Sequence, residues 1–128
     1  MKNKILFFLA DDDVDDQLLF LEALGEIDAS IECLIALNGE DALKKLKDRS
    51  EVLPNYIFLD LNMPRMNGLQ CLSEIKKINS LRDIPVIIYS TSAAKRDIDE
   101  SKKFGAENFF TKPSSFNDLK EFLSKLVN

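Results

Sequence analysis

The sequence contains no histidine and no tryptophan, and it has only two cysteines. Without histidine the chain cannot form a Ser-His-Asp triad, a Cys-His pair or an ordinary catalytic zinc site. Cys33 and Cys71 lie far apart and in no metal-ligand spacing, so they are typical of buried apolar thiols in a reducing compartment. These absences exclude three common kinds of catalytic site.

Long hydrophobic runs and an excess of basic residues are also missing. No run approaches the roughly 18 apolar residues that span a bilayer. The stretch Ile5–Ala10 is too short for the core of a signal peptide, and acids follow it directly. Lysine and arginine number 17 against 22 acidic residues, a net charge of −5, which argues against nucleic acid as a direct partner. We therefore expect a cytoplasmic protein with neither a membrane nor a nucleic acid as its partner.

Apolar runs of strand type alternate with amphipathic segments of helix type along all 128 residues, and no segment is left for a second domain. Val14, Leu18 and Leu21, together with Leu19 and Leu24, give the first helix apolar residues at helical spacing, and Gly25 is expected to end it. The segment Lys47–Asn55 is interpreted as a surface loop. The predicted strands are Lys4–Ala10, Ile31–Leu37, Tyr56–Leu61, Pro85–Ser90 and Asn108–Thr111, and the predicted helices are Val14–Leu24, Gly39–Arg49, Asn67–Ile78, Ala94–Phe104 and Ser115–Val127.

This alternation predicts an α/β fold with a parallel sheet covered on both faces. Right-handed crossovers leave few topologies. We predict a doubly wound, five-stranded parallel sheet in the order 2-1-3-4-5, flanked by five helices, as in flavodoxin-like proteins.

Polar residues follow the strands at the edge where such sheets bind ligands. Strands one, three and four are neighbours in the predicted order, and strand five borders strand four, so these side chains should converge. Taken singly, Ser90 could be a strand-end hydroxyl and Lys112 a surface charge. Their convergence with the acids favours a site. The residues at the strand ends are Asp11, Asp12 and Asp13, then Asp60, Ser90 and Lys112.

Three of these carboxylates, on Asp11, Asp12 and Asp60, should lie close enough to repel one another. A hard cation such as Mg²⁺ would resolve the repulsion, because it prefers oxygen ligands and also binds phosphate oxygens. Three carboxylates are then balanced by Mg²⁺ and Lys112, which leaves a neutral site that can receive an anionic phosphoryl group. Mn²⁺ could take the place of Mg²⁺.

The neighbouring acids have structural interpretations. Asp13 directly precedes the first helix and is expected to cap it. Asp15 and Asp16 fall in the first helical turn, where the helix dipole favours acids. The spacing from Asp11 to Glu22 also resembles a calcium loop, but Asp16 stands where that loop needs glycine.

Four segments resemble the receiver domain of two-component response regulators: LADDDVDD, YIFLDLNMPRMNG, PVIIYSTSA and GAENFFTKP. The resemblance covers essentially the whole chain and implies a single receiver domain over residues 1–128 with no effector domain. It implies that Asp60 is the phosphorylated nucleophile and that Asp11 and Asp12 hold Mg²⁺, Asp12 more directly. It further implies that Asn62 gives a backbone carbonyl to the metal and that Lys112 contacts the phosphoryl group.

The resemblance also implies a switch. Ser90 would bond the phosphoryl group, and Phe109 would turn inward, although many members carry threonine and tyrosine at these positions. Pro113 would follow Lys112 through a cis peptide bond. The expected donor is a phosphohistidine on a sensor histidine kinase or phosphotransfer protein. The expected readout is a downstream protein bound at helix four, strand five and helix five, by a monomer or a weak, phosphorylation-dependent dimer.

Two other functions compete with a stand-alone, phosphorylation-driven receiver that is not a metabolic enzyme. A phosphatase of the haloacid dehalogenase type also uses a strand-end aspartate and Mg²⁺, but the residues after Asp11 depart from its motif and no cap domain is expected. A pseudo-receiver adaptor would work without phosphorylation. The complete set of acids, hydroxyl and lysine argues against an adaptor.

Overall fold

The computed structural model describes residues 4–48 and 52–128. Within these ranges, strands and helices alternate as the sequence predicts, with ends that differ by a few residues. The predicted helix end at Arg49 lies outside the described residues. The elements are β1 (Leu6–Ala10), α1 (Val14–Ile27), β2 (Glu32–Ala36), α2 (Gly39–Lys47), β3 (Tyr56–Leu59), α3 (Gly68–Lys76), β4 (Val86–Ser90), α4 (Lys95–Lys103), β5 (Asn108–Thr111) and α5 (Phe116–Val127).

The five strands form one parallel sheet in the order β2-β1-β3-β4-β5, which confirms the predicted topology. The central strands are apolar apart from the end of β4, because both of their faces are covered. All five residues of β1 and of β4 are buried.

Two cores lie on opposite faces of the sheet. One packs α2 and α3 against residues such as Phe8, Leu59 and Ile88. The other packs α1 and α5 against alternate residues of the same strands, such as Phe7 and Phe58. Since neighbouring strand residues point to opposite faces, each central strand contributes to both cores. This double packing fixes the strand ends that carry the polar residues.

The first helix departs from the prediction in two ways. It does not end at Gly25 but runs through it to Ile27, because Ile27 still packs against the core beneath α1 and α5. Of the apolar residues predicted for this helix, only Leu24 is buried. Phe20 and Leu24 are buried, whereas Val14, Leu18 and Leu21 are exposed.

The ends of the helices are set by local hydrogen bonds. The Asp13 carboxylate accepts the N–H groups of Asp15 and Asp16, which confirms the predicted cap of α1. Asn67 and Gln70 form a reciprocal capping box at the start of α3. Gly105 follows α4 with a φ of +102°, a conformation that favours glycine. Within the described ranges, no helix combines the length and apolar content that a bilayer crossing requires.

Candidate functional site

Acidic side chains meet at the carboxyl ends of β1 and β3. The Asp60 N–H donates to the Ala10 carbonyl at 2.9 Å, and this bond holds the two strand ends side by side. Carboxylate oxygens of Asp11, Asp12 and Asp60 all lie within 4.8 Å of one another. Asp11 is fully buried and Asp60 is 7% exposed, whereas Asp12 is exposed. The structure therefore brings the three predicted acids together.

Lys112 reaches into this cluster from the end of β5. Its Nζ lies 2.7 Å from Asp16 Oδ2, 2.9 Å from Asp11 Oδ2 and 3.1 Å from Asp60 Oδ2, and its side chain is 9% exposed. Burial alone would lower the pKa of the ammonium, but the hydrogen bond to Asp16 and the charges of Asp11 and Asp60 outweigh it. The pKa of Lys112 is therefore raised, and the side chain is a permanent cation within the site.

Burial makes the ionised form of Asp11 costly. Burial raises its pKa to about 6, although the Asp13 N–H and Lys112 both stabilise the carboxylate. Its buried Oδ2 lies 2.9 Å from Lys112 Nζ as an ion pair, yet no donor meets this oxygen with hydrogen-bond geometry. A carboxylate oxygen that lacks a hydrogen-bond donor and lies among three carboxylates is a suitable ligand for a hard cation.

The donor set therefore fits Mg²⁺ or Mn²⁺. Carboxylates are hard oxygen ligands, and the exposed position of Asp12 leaves room for the waters that Mg²⁺ retains. Asn62 lies at the rim, where its backbone N–H donates to Asp60 Oδ1 at 3.3 Å.

Ser90 lies at the end of β4, and Phe109 lies on β5. Ser90 is fully buried, and its Oγ accepts the Ser92 N–H at 3.3 Å. Phe109 is half-buried and packs against the core beneath α2 and α3. Among the described residues, no hydrogen bond joins Ser90 to Asp60. A backbone hydrogen bond links Ser90 to Lys112, in which the Lys112 N–H donates to the Ser90 carbonyl at 2.7 Å.

Asp16 is the site residue whose role the sequence analysis missed. It does lie in the first turn of α1, as expected, but its carboxylate also makes the shortest of the three contacts to Lys112. A usable signal was its position three residues after the capping Asp13, since side chains at that position turn back towards the start of the helix.

No cis peptide bond occurs among the described residues. The prediction of a cis bond before Pro113 is therefore wrong. The trans form is the commoner one for proline.

A doubly wound sheet with buried acids and a buried lysine at its ligand-binding edge defines a flavodoxin-like α/β domain with a cation-suited acidic site. The chain belongs to the response regulator receiver domain family, whose pattern it matches over residues 7–124. The family is one of two-component signalling, which confirms the resemblance seen in the four motifs.

Among curated proteins, the chain is 41% identical over 126 residues to a protein-glutamate methylesterase/protein-glutamine glutaminase of Treponema denticola, covering 89% of this chain and 32% of that protein. It is 31% identical over 118 residues to response regulator Rcp1 of Synechocystis, covering 89% of this chain and 80% of Rcp1. The chain thus spans about a third of the first relative and most of the second.

Solved structures of response regulators have the same fold as this chain. The crystal structure of the phosphorylated cyanobacterial phytochrome response regulator RcpA superposes with a TM-score of 0.87 at 30% identity, covering 97% of this chain and 91% of that one. The Mn²⁺-bound form of response regulator Rcp1 gives a TM-score of 0.83 at 28% identity, covering 95% and 91%.

Proposed function

We propose that this receiver domain accepts a phosphoryl group on Asp60 and passes on a signal through the resulting conformational change. The observation that carries the proposal is the position of the Asp60 carboxylate, which lies 3.1 Å from the Lys112 ammonium and beside the cation-suited pair Asp11 and Asp12. Two similar chains are described as phosphorylated and as Mn²⁺-bound, and both descriptions support the proposal.

In the proposed transfer, an Asp60 oxygen attacks the phosphorus of a phosphohistidine. An O–P bond forms, the N–P bond breaks, and the imidazole nitrogen leaves with the bonding electron pair. Such transfers depend mainly on positioning and charge stabilisation. A bound Mg²⁺ would neutralise charge on the phosphoryl oxygens. Lys112 supplies the fixed positive charge on the other side.

Ser90 would change partners after the transfer. Its hydroxyl now accepts the Ser92 N–H, and Ser92 in turn bonds Asp97 and receives the Thr111 hydroxyl at its carbonyl. Rotation of Ser90 towards a phosphoryl oxygen would release one bond of this network. We propose that the release frees the segment before α4 and allows Phe109 to turn inward, as a shift between two populated states.

We propose that the donor approaches Asp60 over α1. Val14, Leu18 and Leu21 form an exposed apolar stripe there, with Val14 60% and Leu18 59% exposed. A stripe of this kind fits the apolar face of a donor helix that carries the phosphohistidine. A 105-residue match at 30% identity to the sensor histidine kinase CheAY of Helicobacter pylori supports a kinase or phosphotransfer protein as the donor.

Four similar structures are described as response regulators of phytochrome or red-light signalling or as Rcp1. We propose a phytochrome-type kinase as the first donor to test. The downstream partner at α4, β5 and α5, the monomeric or weakly dimeric state, the cytoplasmic location and the absence of an effector domain stay predictions.

The test is incubation with acetyl phosphate and Mg²⁺, read by intact-protein mass. Wild type is expected to gain one phosphoryl group only when Mg²⁺ is present, and Asp60→Asn to gain none. Identical labelling of both proteins would contradict the proposal. Steady hydrolysis of small phosphate esters would instead indicate a phosphatase.

A further inference from the structure

Lys112 has more carboxylate partners than the sequence analysis assigned to it. A lysine ammonium has three N–H donors, and three carboxylates surround Nζ, those of Asp11, Asp16 and Asp60. Asp16 is the nearest at 2.7 Å. It does not belong to the three-carboxylate group that fits a cation.

The extra carboxylate changes the charge of the site. The site holds one ammonium and the carboxylates of Asp11, Asp12, Asp16 and Asp60, which gives a formal charge of −3. A bound divalent cation reduces this to −1, not to the neutral value expected from three acids. An incoming phosphoryl group is anionic, so this remaining charge opposes its approach.

We propose that Asp16 is a positioning residue that restrains Lys112 and thereby slows phosphorylation of Asp60. The inference rests on the proposed function of Asp60 as phosphoryl acceptor. The ammonium already donates hydrogen bonds to Asp16 and Asp60 and forms an ion pair with Asp11, so its contact with Asp16 must loosen before Lys112 can turn towards a phosphoryl oxygen. Asp16 lies on α1 and does not belong to the carboxylates that would bind the cation. Cation binding therefore leaves the contact between Asp16 and Lys112 in place.

The restraint is only partly screened by water. The Lys112 side chain is 9% exposed and that of Asp16 is 27% exposed, so this ion pair is more protected than the surface pairs of the chain, such as Lys77–Glu74. Replacing Asp16 with asparagine keeps the size of the side chain and removes its charge. Lys112 would keep Asp11 and Asp60, so the buried ammonium stays paired.

Asp15→Asn is the matched control. Asp15 is the preceding residue in the same turn of α1, is exposed, and makes no ion pair among the described residues. Its replacement removes the same charge at nearly the same place. A general effect of net charge on anionic donors should therefore affect both variants alike, and only Asp16→Asn should release Lys112.

The experiment measures the rate of Asp60 phosphorylation by acetyl phosphate at saturating Mg²⁺. Asp16→Asn is expected to react about threefold to tenfold faster than Asp15→Asn, the range that corresponds to weakening one partly buried ion pair. Asp16→Glu, which restores the charge, is expected to return the rate towards wild type. In ¹⁵N spectra of the lysine side chains, the Lys112 ammonium signal should shift in Asp16→Asn and stay in place in Asp15→Asn.

The outcomes separate the two proposals. If wild type and Asp60→Asn behave alike, the proposed function fails. If wild type is phosphorylated on Asp60 but Asp16→Asn reacts no faster than Asp15→Asn, the restraint is contradicted and the acceptor role stands. A slower Asp16→Asn would also overturn it, because Asp16 would then deliver Lys112 to the phosphoryl group. Thermal unfolding of each variant checks that the fold persists, and Asp16→Ser provides a second uncharged variant.

Discussion

At the scale of single residues, the site combines an acid that is costly to bury with a lysine that is held in place. Asp11 is fully buried, and its pKa rises to about 6. Lys112 stays charged because its carboxylate neighbours raise its pKa. The ammonium of Lys112 therefore offsets only part of the repulsion among the carboxylates, and a bound cation is expected to offset the rest.

Asp11→Asn tests this electrostatic cost. Burial raises the pKa of Asp11 from its usual 3.8 to about 6 in the fold, so the ionised carboxylate destabilises the fold above pH 6. That penalty fades as the pH falls towards 4. Without metal at pH 7, we expect Asp11→Asn to unfold with a free energy about 1–2 kcal/mol higher than wild type. The measurement is urea unfolding at pH 7 and pH 4.5.

The gain should shrink at pH 4.5, and Mg²⁺ at pH 7 should favour wild type instead, because only wild type keeps the full set of ligands. Asp41→Asn is the contrasting control. The Leu37 N–H lowers the pKa of Asp41, so its replacement should cost stability above the unfolded pKa and lose that effect as the pH falls. An Asp11→Asn protein that is less stable than wild type in metal-free buffer at pH 7 would count against the account.

Replacing Gly68 or Gly25 with alanine is predicted to change the stability of the fold in opposite directions. A Cβ on Gly68 would collide with the Asp60 carbonyl oxygen, whereas a Cβ on Gly25 would meet nothing within 4 Å. We expect Gly68→Ala to lower the free energy of unfolding by about 2–3 kcal/mol and to displace Asp60. Gly25→Ala, in the last turn of α1, should raise it by about 0.5–1 kcal/mol. Thermal unfolding of both variants checks the signs, and equal effects would contradict the described packing.

At the scale of elements, α1 differs most from its sequence pattern. Its apolar residues cover more than one face, so a helical spacing could be drawn through Val14, Leu18 and Leu21 as easily as through the residues that the fold buries. Periodicity alone cannot choose between two apolar stripes. The choice is made by the sheet and by α5, which pack against Phe20 and Leu24.

Leu18→Asp tests the exposed stripe of α1 as a donor surface. The charge should block an apolar helix without disturbing the core, since Leu18 is 59% exposed. We expect transfer from a phosphohistidine protein to fall by about tenfold or more, while phosphorylation by acetyl phosphate is unchanged. Leu19→Asp is the control, because Leu19 is 44% exposed but is turned about 100° around the helix.

A loss of both reactions in Leu18→Asp would show damage to the site and not to docking. Equal losses in Leu18→Asp and Leu19→Asp would contradict a donor surface confined to the stripe.

At the scale of the whole molecule, the sheet order and the meeting of Asp11, Asp12, Asp60 and Lys112 could be predicted from the sequence. Alternating strands and helices allow few right-handed arrangements, and these place particular strand ends together. The contact of Asp16 with Lys112 and the hydrogen bond between Ser90 and Ser92 could not be predicted in this way. They depend on side-chain directions that only the packed structure defines.

The central claim is that Asp60, among four neighbouring carboxylates, takes the phosphoryl group. After reaction with acetyl phosphate and Mg²⁺, borohydride reduces an aspartyl phosphate to homoserine, and peptide mass spectrometry locates the changed residue. We predict homoserine at position 60 alone, and none in protein that was not phosphorylated. Homoserine at Asp11, Asp12 or Asp16, or at no position despite labelling of the protein, would contradict the account.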